Sequence, residues 1–298
     1  MKKLICILTL LLALVCVLAA CESDDGATEA EPPEGLEFFP LPDGTYGVSA
    51  GKAFYLEDVV IPSTYKGTAV TQVFPEAFHS ASNLKTITIP NSITVIGDSA
   101  FGNSGLVSVT FEEDSQLTTI DRSAFIACRS LTSITLPASV SNIGNDQFMH
   151  CESLTTITFA EGSQLTKLGA GAFQFCSSLN SITIPAGVIN IEAGTFYECG
   201  SLTSVTFAEE SQLAKIGALA FYGCSSLTDI TIPAKVTNIG DYAFCRCNSL
   251  TSVTFAEPNG WIRAGTPLSA TDLADPATAA TYLKSTYCGN TWTRTAND

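Results

Sequence analysis

Cysteine is the residue with which this chain could do the most chemistry, since it holds eleven cysteines against two histidines. Six of them, Cys128, Cys151, Cys176, Cys199, Cys224 and Cys247, recur at intervals of 23 or 25 residues. A zinc site needs converging ligands, commonly with a C-x-x-C pair among them, whereas a row of single thiols is linear. No C-x-x-C pair with metal spacing occurs, and Cys245-Arg246-Cys247 puts adjacent side chains on opposite faces. The six therefore read as a stack of small apolar side chains, one per structural unit. His79 and His150 stand in separate units at non-equivalent positions with no partner for a nucleophile–base arrangement, and neither a G-x-S-x-G elbow nor a glycine-rich phosphate loop occurs. Acidic residues recur as Glu112-Glu113, Glu209-Glu210 and, singly, Glu161 and Glu257. Calcium would need them convergent, and they fall in separate units, so solvated loop tips are the simpler reading. The expectation is a chain with no catalytic residue, no metal and no cofactor.

Two flanking segments must be set aside before the elements that position these residues can be read. Met1-Lys2-Lys3 is followed by an apolar, uncharged run from Leu4 to Ala20, the pattern of a signal peptide over 1–20. Leu18-Ala19-Ala20-Cys21 resembles the lipobox of bacterial lipoproteins. That resemblance implies cleavage before Cys21 and attachment of lipid to it, so the membrane would be reached through the lipid anchor only. Residues 21–35 then form a linker whose six carboxylates and near absence of apolar residues predict disorder.

The chain carries 14 basic and 29 acidic residues, a formal charge of −15, which would repel a phosphate backbone; nucleic acid is excluded as a partner. With 46% hydrophobic and only 14% charged residues, the chain suits an extensive core under a neutral, hydroxyl-rich surface.

What repeats is a unit closing on phenylalanine. Phe78, Phe101, Phe125, Phe148, Phe173, Phe196, Phe221 and Phe244 lie 23, 24, 23, 25, 23, 25 and 23 residues apart. After each Phe comes a leucine opening L-x-x-φ-x-φ with apolar φ, as in Leu179, Ile182 and Ile184. Two versions alternate: one continues through Ile-Pro to Ile-Gly, as at Ile232-Pro233 and Ile239-Gly240, and the other has Phe in the strand and a longer acidic loop, as at 207–213. Ile182 and Ile184 alternate with Ser181 and Thr183, so a strand period of two turns the isoleucines inward and the hydroxyls outward. No unit can bury its apolar side alone; it must do so against the units before and after. The prolines directly after the strand end its ladder. Only short helical turns are expected, around each A-F.

The consensus C-x-S-L-x-x-I-x-I-P-x-x-V-x-x-I-G-x-x-A-F resembles the BspA-like class of bacterial leucine-rich repeats over residues 59–255, with Val59-Val60-Ile61-Pro62 resembling its first strand. The fold expected is mostly β: a right-handed leucine-rich-repeat solenoid of about eight turns, with parallel strands on one face and N- and C-terminal caps. The asparagine ladder of better-known leucine-rich repeats is absent, and the cysteine three residues before the leucine takes that niche. The resemblance implies a surface adhesin or antigen whose partner is a host matrix protein or another microbial surface protein.

The repeats are assigned to 76–256, with an N-terminal cap and first strand over 36–75 and a C-terminal cap over 257–298. Residues 36–58 read as a hairpin around Pro42-Asp43-Gly44. In the last segment Asp275-Pro276 opens a short helix. Trp261 and Trp292 also lie there, packed on the last coil or, alternatively, forming an aromatic sugar or peptide site. Cys245 follows Phe244 where other units carry His79, Gln174 or Tyr222, which places it near the surface. Cys288 lies in the segment that must fold back over that coil, so a Cys245–Cys288 disulfide is expected, while the ladder thiols stay reduced.

The outward strand positions form the expected binding face: Thr86, Thr88, Ser133, Thr135, Thr156, Thr158, Ser181, Thr183, Ser204, Thr206, Asp229 and Thr231. Threonine also favours a half-exposed pleat for β-propensity alone. T-x-T ladders occur on ice-binding faces as well, though the concave curvature of such repeats opposes that use. Two functions remain: a cell-envelope, outer-surface binding module, and a passive structural lipoprotein with no dedicated ligand. A face of Thr and Ser holds few of the Trp, Tyr and Arg side chains that dominate interfaces, which favours weak multivalent contact.

Overall fold

The computed structural model describes residues 35–295, so the signal segment, Cys21 and the acidic linker up to residue 34 lie outside the described residues. From Asp58 onward the chain winds into stacked turns with a front strand in each. Nine parallel front strands are present: Asp58–Val60, Thr86–Ile89, Ser108–Phe111, Ser133–Leu136, Thr156–Phe159, Ser181–Ile184, Ser204–Phe207, Asp229–Ile232 and Ser252–Phe255. They hydrogen-bond as three successive parallel sheets of three, four and two strands. Asp58–Val60 pairs in register with Thr86–Thr88, so it is a full front strand and the stack has about nine turns. Pairing keeps like with like: Ser181, Ile182, Thr183 and Ile184 sit beside Ser204, Val205, Thr206 and Phe207. The burial alternates as the period requires, with Ile182 and Ile184 inside and their neighbours outside.

A second parallel ladder runs along the back. Its rungs are two residues long, from Val95–Ile96 through Thr119–Ile120 to Asn238–Ile239. The recurring glycine after the isoleucine follows from how closely successive turns approach there. A Cβ on Gly217 would lie 2.5 Å from the carbonyl carbon of Glu192 and 2.6 Å from the Ala193 nitrogen, leaving no room for any other residue.

The third side holds hydrogen-bonded turns where the sequence suggests helical ones. Each turn places a residue in the left-handed region two positions before its Phe and another two after, for example Ser99 and Asn103 around Phe101. Several are not glycine: Phe175, Leu219, Tyr242 and Arg246 all have φ near +60°. Such a residue costs roughly 1–2 kcal/mol. Backbone pairing offsets it, because the bend aims alternate N–H groups at the next turn. Gly171, Phe173 and Phe175 donate to the carbonyls of Ala193, Thr195 and Tyr197 at 3.0, 2.8 and 2.9 Å.

Inside this frame the eight phenylalanines are at most 1% exposed and form one column, with neighbouring rings 5.1–5.5 Å apart and tilted by no more than 15°. Burying each contributes about 1.5–3 kcal/mol.

Outside the stack, Glu37–Pro40 pairs antiparallel with Tyr46–Ser49 across the turn at Asp43, whose carboxylate accepts from the Thr45 backbone and hydroxyl at 3.0 and 2.7 Å. Tyr46–Ser49 then joins the start of the back ladder at Thr68–Val73. At the far end, Trp292–Arg294 runs antiparallel to Asn238–Ile239, the last rung, and pairs on its other edge with Trp261–Arg263. Between these two strands, Asp275 caps the helix Pro276–Thr281 by accepting from Thr278 N–H at 2.8 Å. No helix among the described residues is long and apolar enough to cross a membrane.

Candidate functional site

The six ladder cysteines are buried and point into the stack. Each Sγ donates to the carbonyl of the Phe one turn earlier, at 3.0–3.2 Å, from Cys128 to Phe101 through Cys247 to Phe221. That carbonyl already accepts an N–H of its own turn, as Phe173 does from Cys176, so the thiol takes the second lone pair. Desolvation pushes every one of these thiols up from an ordinary value of 9.0, Cys128 to about 11 and Cys247 to about 12, which withholds the thiolate. Among the described residues no three His, Cys, Asp or Glu side chains are grouped to hold a metal ion.

Cys245 and Cys288 are joined as a disulfide, with Cα atoms 5.4 Å apart. Cys245 is 5% exposed rather than near the surface, because the Cys288 segment lies against it and accepts the Tyr242 N–H at 2.7 Å. Both tryptophans are 1% exposed and packed with Phe255, so neither can serve as the alternative aromatic binding site.

Surfaces, rather than clefts with reactive groups, are what the stack offers. Of the twelve front positions, Thr88 and Ser204 are half-buried, and Thr86, Ser133, Thr135, Thr156, Thr158, Ser181, Thr183, Thr206, Asp229 and Thr231 are exposed. Beside the strand ends the alternation of loop lengths makes a corrugated edge. The long loops after Phe111, Phe159 and Phe207 stand as ridges, and the short turns Pro137-Ala138, Pro185-Ala186 and Pro233-Ala234 lie lower as valleys. Three equivalent grooves result, of about 540, 600 and 720 Å³. Each is floored by its Pro-Ala turn and lined by two front hydroxyl rows and one half-buried phenylalanine: Phe111, Phe159 or Phe207. Ala160 and Ala208, at the starts of the next long loops, close the first two. The acidic loop residues belong to these ridges, as their sequence suggested, with Glu112, Glu209 and Glu210 exposed there.

Sequence reasoning missed a second surface. On the bend side, half-buried aromatics run across consecutive turns: His150 stacks on Phe175 at 4.6 Å, Phe175 meets Tyr197 edge-on at 5.5 Å, and Tyr197 stacks on Tyr222 at 5.1 Å. Arg246 lies over the Tyr222 ring at 5.3 Å. These residues come from two neighbouring repeat positions, one and two after the Phe, so no single column of the repeat reveals them.

This geometry defines a leucine-rich-repeat solenoid, a fold that typically serves as a non-enzymatic scaffold. The model of the BspA type leucine rich repeat region matches the chain in six copies over residues 71–164 and 148–265. The chain belongs to that family. Among solved structures it is similar to the leucine-rich-repeat protein TpLRR of T. pallidum, with 26% identity over 74% of this chain and 89% of that one and a TM-score of 0.59. It is similar also to the pneumococcal vaccine antigen PcpA, at 19% identity over 75% and 80% of the two chains with a TM-score of 0.43. A leucine-rich cell surface protein of Faecalibacterium prausnitzii matches at 19% identity over 80% and 96%, with a TM-score of 0.35. No curated protein matches the sequence.

Proposed function

We propose that this protein is a lipid-anchored component of the bacterial cell envelope, facing outward, that binds another protein through its front face and catalyses nothing. The observation that carries the binding role is the threefold recurrence of one groove at the edge of an exposed hydroxyl face. A scaffold that only filled space would need no such regular relief. The partner is a host matrix protein or another microbial surface protein, met through several weak, equivalent contacts. The aromatic row from His150 to Arg246 supports a second contact surface, because Tyr and Arg are the side chains that dominate protein interfaces. Cys21 supplies the anchor. Its replacement by Ala is expected to abolish incorporation of a labelled fatty acid.

The binding role is tested by presenting the full chain in detergent to purified matrix and bacterial surface proteins. Its Thr135→Arg/Thr183→Arg/Thr231→Arg and Tyr197→Ala/Tyr222→Ala variants are presented alongside it. Saturable binding to one of these proteins, lost in the first variant, is expected. Loss only in the second would move the site to the aromatic row, and saturable binding to none would leave the passive structural reading.

A further inference from the structure

The two ends of the stack are closed unequally. At the far end the helix Pro276–Thr281 packs on the last front strand, Ser252–Phe255, and Trp292–Arg294 covers the last back rung. At the near end the first front strand, Asp58–Val60, pairs with Thr86–Thr88 on one edge and has no strand on the other among the described residues. The Glu57 carbonyl accepts from Lys85 and Thr86 at 2.6 and 3.1 Å, and the Ile61 N–H donates to Thr88 at 3.1 Å, so both point into the stack. Alternation along a parallel strand therefore turns the N–H and C=O groups of Asp58 and Val60 toward the open edge. Large apolar side chains gather at the same end. Seven are exposed among the described residues, and four of them stand here: Phe39, Tyr55, Leu56 and Val60, at 46, 72, 41 and 55%. Scattered singly such residues mean little, but grouped beside an unpaired strand edge they mark a surface that another strand can cover.

Shape and charge say which strand that is. The chain's own residues 22–34 are a poor match: their six carboxylates would meet Glu57 and Asp58, and Pro32 and Pro33 bring no donors. The end itself is stepped. On the back, Tyr46–Ser49 and Glu37–Pro40 extend the ladder beyond Thr68–Val73, whereas on the front no strand among the described residues precedes Asp58–Val60. The back thus stands two strands higher than the front. A second copy turned by half a rotation sets its high back against the low front and its low front against the high back, so the steps interlock. In that pose Glu37–Pro40, the outermost back strand, lies beside Asp58–Val60 of the other copy, and Phe39 meets Leu56 and Val60 there. Charge agrees with it. Lys66 lies over the Tyr65 ring, which stacks on Phe38 of the hairpin, and has no carboxylate partner among the described residues. Glu57 and Asp58 edge the low front that this lysine would approach. A two-fold contact uses the same surface twice and closes at two chains. We infer that the near end of the stack is a self-association face, through which two copies of this chain pair head to head by interlocking hairpin and first front strand. The inference does not rest on the binding role proposed above.

The test is sedimentation velocity of the full chain in density-matched detergent over a concentration series. Expected is a concentration-dependent dimer with no larger species. Leu56→Asp/Val60→Asp on the low front and, separately, Phe39→Asp on the high back are each expected to weaken association at least tenfold. Melting temperatures should not change, because all three side chains are exposed. Where Phe39→Asp does not fold, Phe39→Ser serves the same purpose. Tyr242→Asp, an equally exposed position at the far end, is expected to leave the dimer intact. A dimer that every variant keeps would be two chains sharing a micelle and would overturn the inference. Loss in the front variant alone would overturn the interlocked pairing, and growth into longer oligomers would replace the two-fold contact by a head-to-tail one. A monomer at every concentration would also overturn it. If Tyr55→Trp fluorescence were then quenched by brominated lipid in phosphatidylethanolamine–phosphatidylglycerol vesicles, the apolar end would belong to the bilayer instead.

Discussion

A turn in the middle of the stack and the last turn of the stack present the same backbone to the next layer, yet they are completed in different ways. In the middle, Ala186 and Ile189 carbonyls accept N–H groups of Gln212 and Ala214 at 2.9 and 2.8 Å, so the following turn finishes the job with backbone alone. At the end, the equivalent Ala234 and Thr237 carbonyls meet Arg294. Its backbone N–H reaches Thr237 at 2.8 Å, and its guanidinium bonds to Ala234 and Val236. Arg294 is 9% exposed, and the other buried polar side chains among the described residues are uncharged. A periodic sequence satisfies its hydrogen bonds through repetition and needs no charge inside. Where repetition stops, an antiparallel strand takes the place of the next turn, and the Arg294 side chain supplies the donors that strand lacks, held in place by Trp261, Trp292 and the Cys245–Cys288 bridge.

The largest effect expected concerns the middle of the stack. Phe196→Asp puts an unpaired carboxylate into the ring column and should cost at least ~4 kcal/mol, while Thr183→Asp on the exposed strand position should cost under ~1 kcal/mol. Denaturant melts of the two variants measure the difference, and equal losses would reverse the assignment of inside and outside.

Alkaline pH attacks the thiol column from Cys128 to Cys247, while the bridged Cys245 and Cys288 do not titrate and add nothing. With folded thiol pKa values raised above 9.0, stability is fully present below that pH and is lost as pH rises through the folded values of about 11 for Cys128 and about 12 for Cys247. Each thiol removes up to ~1.4 kcal/mol per pH unit in that window. A variant with all six ladder cysteines replaced by alanine should lose the steep decline between pH 9 and pH 11 in thermal melts.

At the end, Arg294→Met should cost about 2 kcal/mol, since it leaves the Ala234 and Val236 carbonyls short of donors. Hydrogen exchange should show the loss confined to the last two turns. A uniform increase in exchange would mean that the end and the middle unfold as one.

The smallest effect has the opposite sign. Gln147 occupies a position that is alanine in six of the eight units and is fully buried, with neither amide atom hydrogen-bonded. Thr195, the other exception, bonds to Gly169 and Glu192 carbonyls at 3.1 and 2.9 Å. Gln147→Ala is expected to raise stability by about 1 kcal/mol, visible as a higher melting temperature. A lower one would mean that the packing of its methylenes outweighs its unmet polar atoms.

The repeat, the inward residues and the hydroxyl face were legible because they obey a period in sequence. The back ladder was not: two residues such as Lys215 and Ile216 are too few to show an alternation. Nor was the bend, since Phe175 or Leu219 at positive φ carries no local signal and is held there by the turns on either side. Alternating loop lengths were readable as a spacing of 23 and 25, but ridges and valleys exist only once three turns are laid side by side. Gln147 carries no signal of its own in the sequence, and its cost appears only when the depth of that column is known.

The two-turn rhythm also limits how a chain of this kind can change length. Removing one turn, of 23 or 25 residues, would set two ridges or two valleys together and throw the remaining grooves out of phase, although every strand could still pair. Removing or duplicating 48 residues leaves the phase intact, and Arg294 would meet the same final turn. The molecule is therefore built like text set in couplets: it can be lengthened or shortened in pairs of lines while its opening and its close stay as they are.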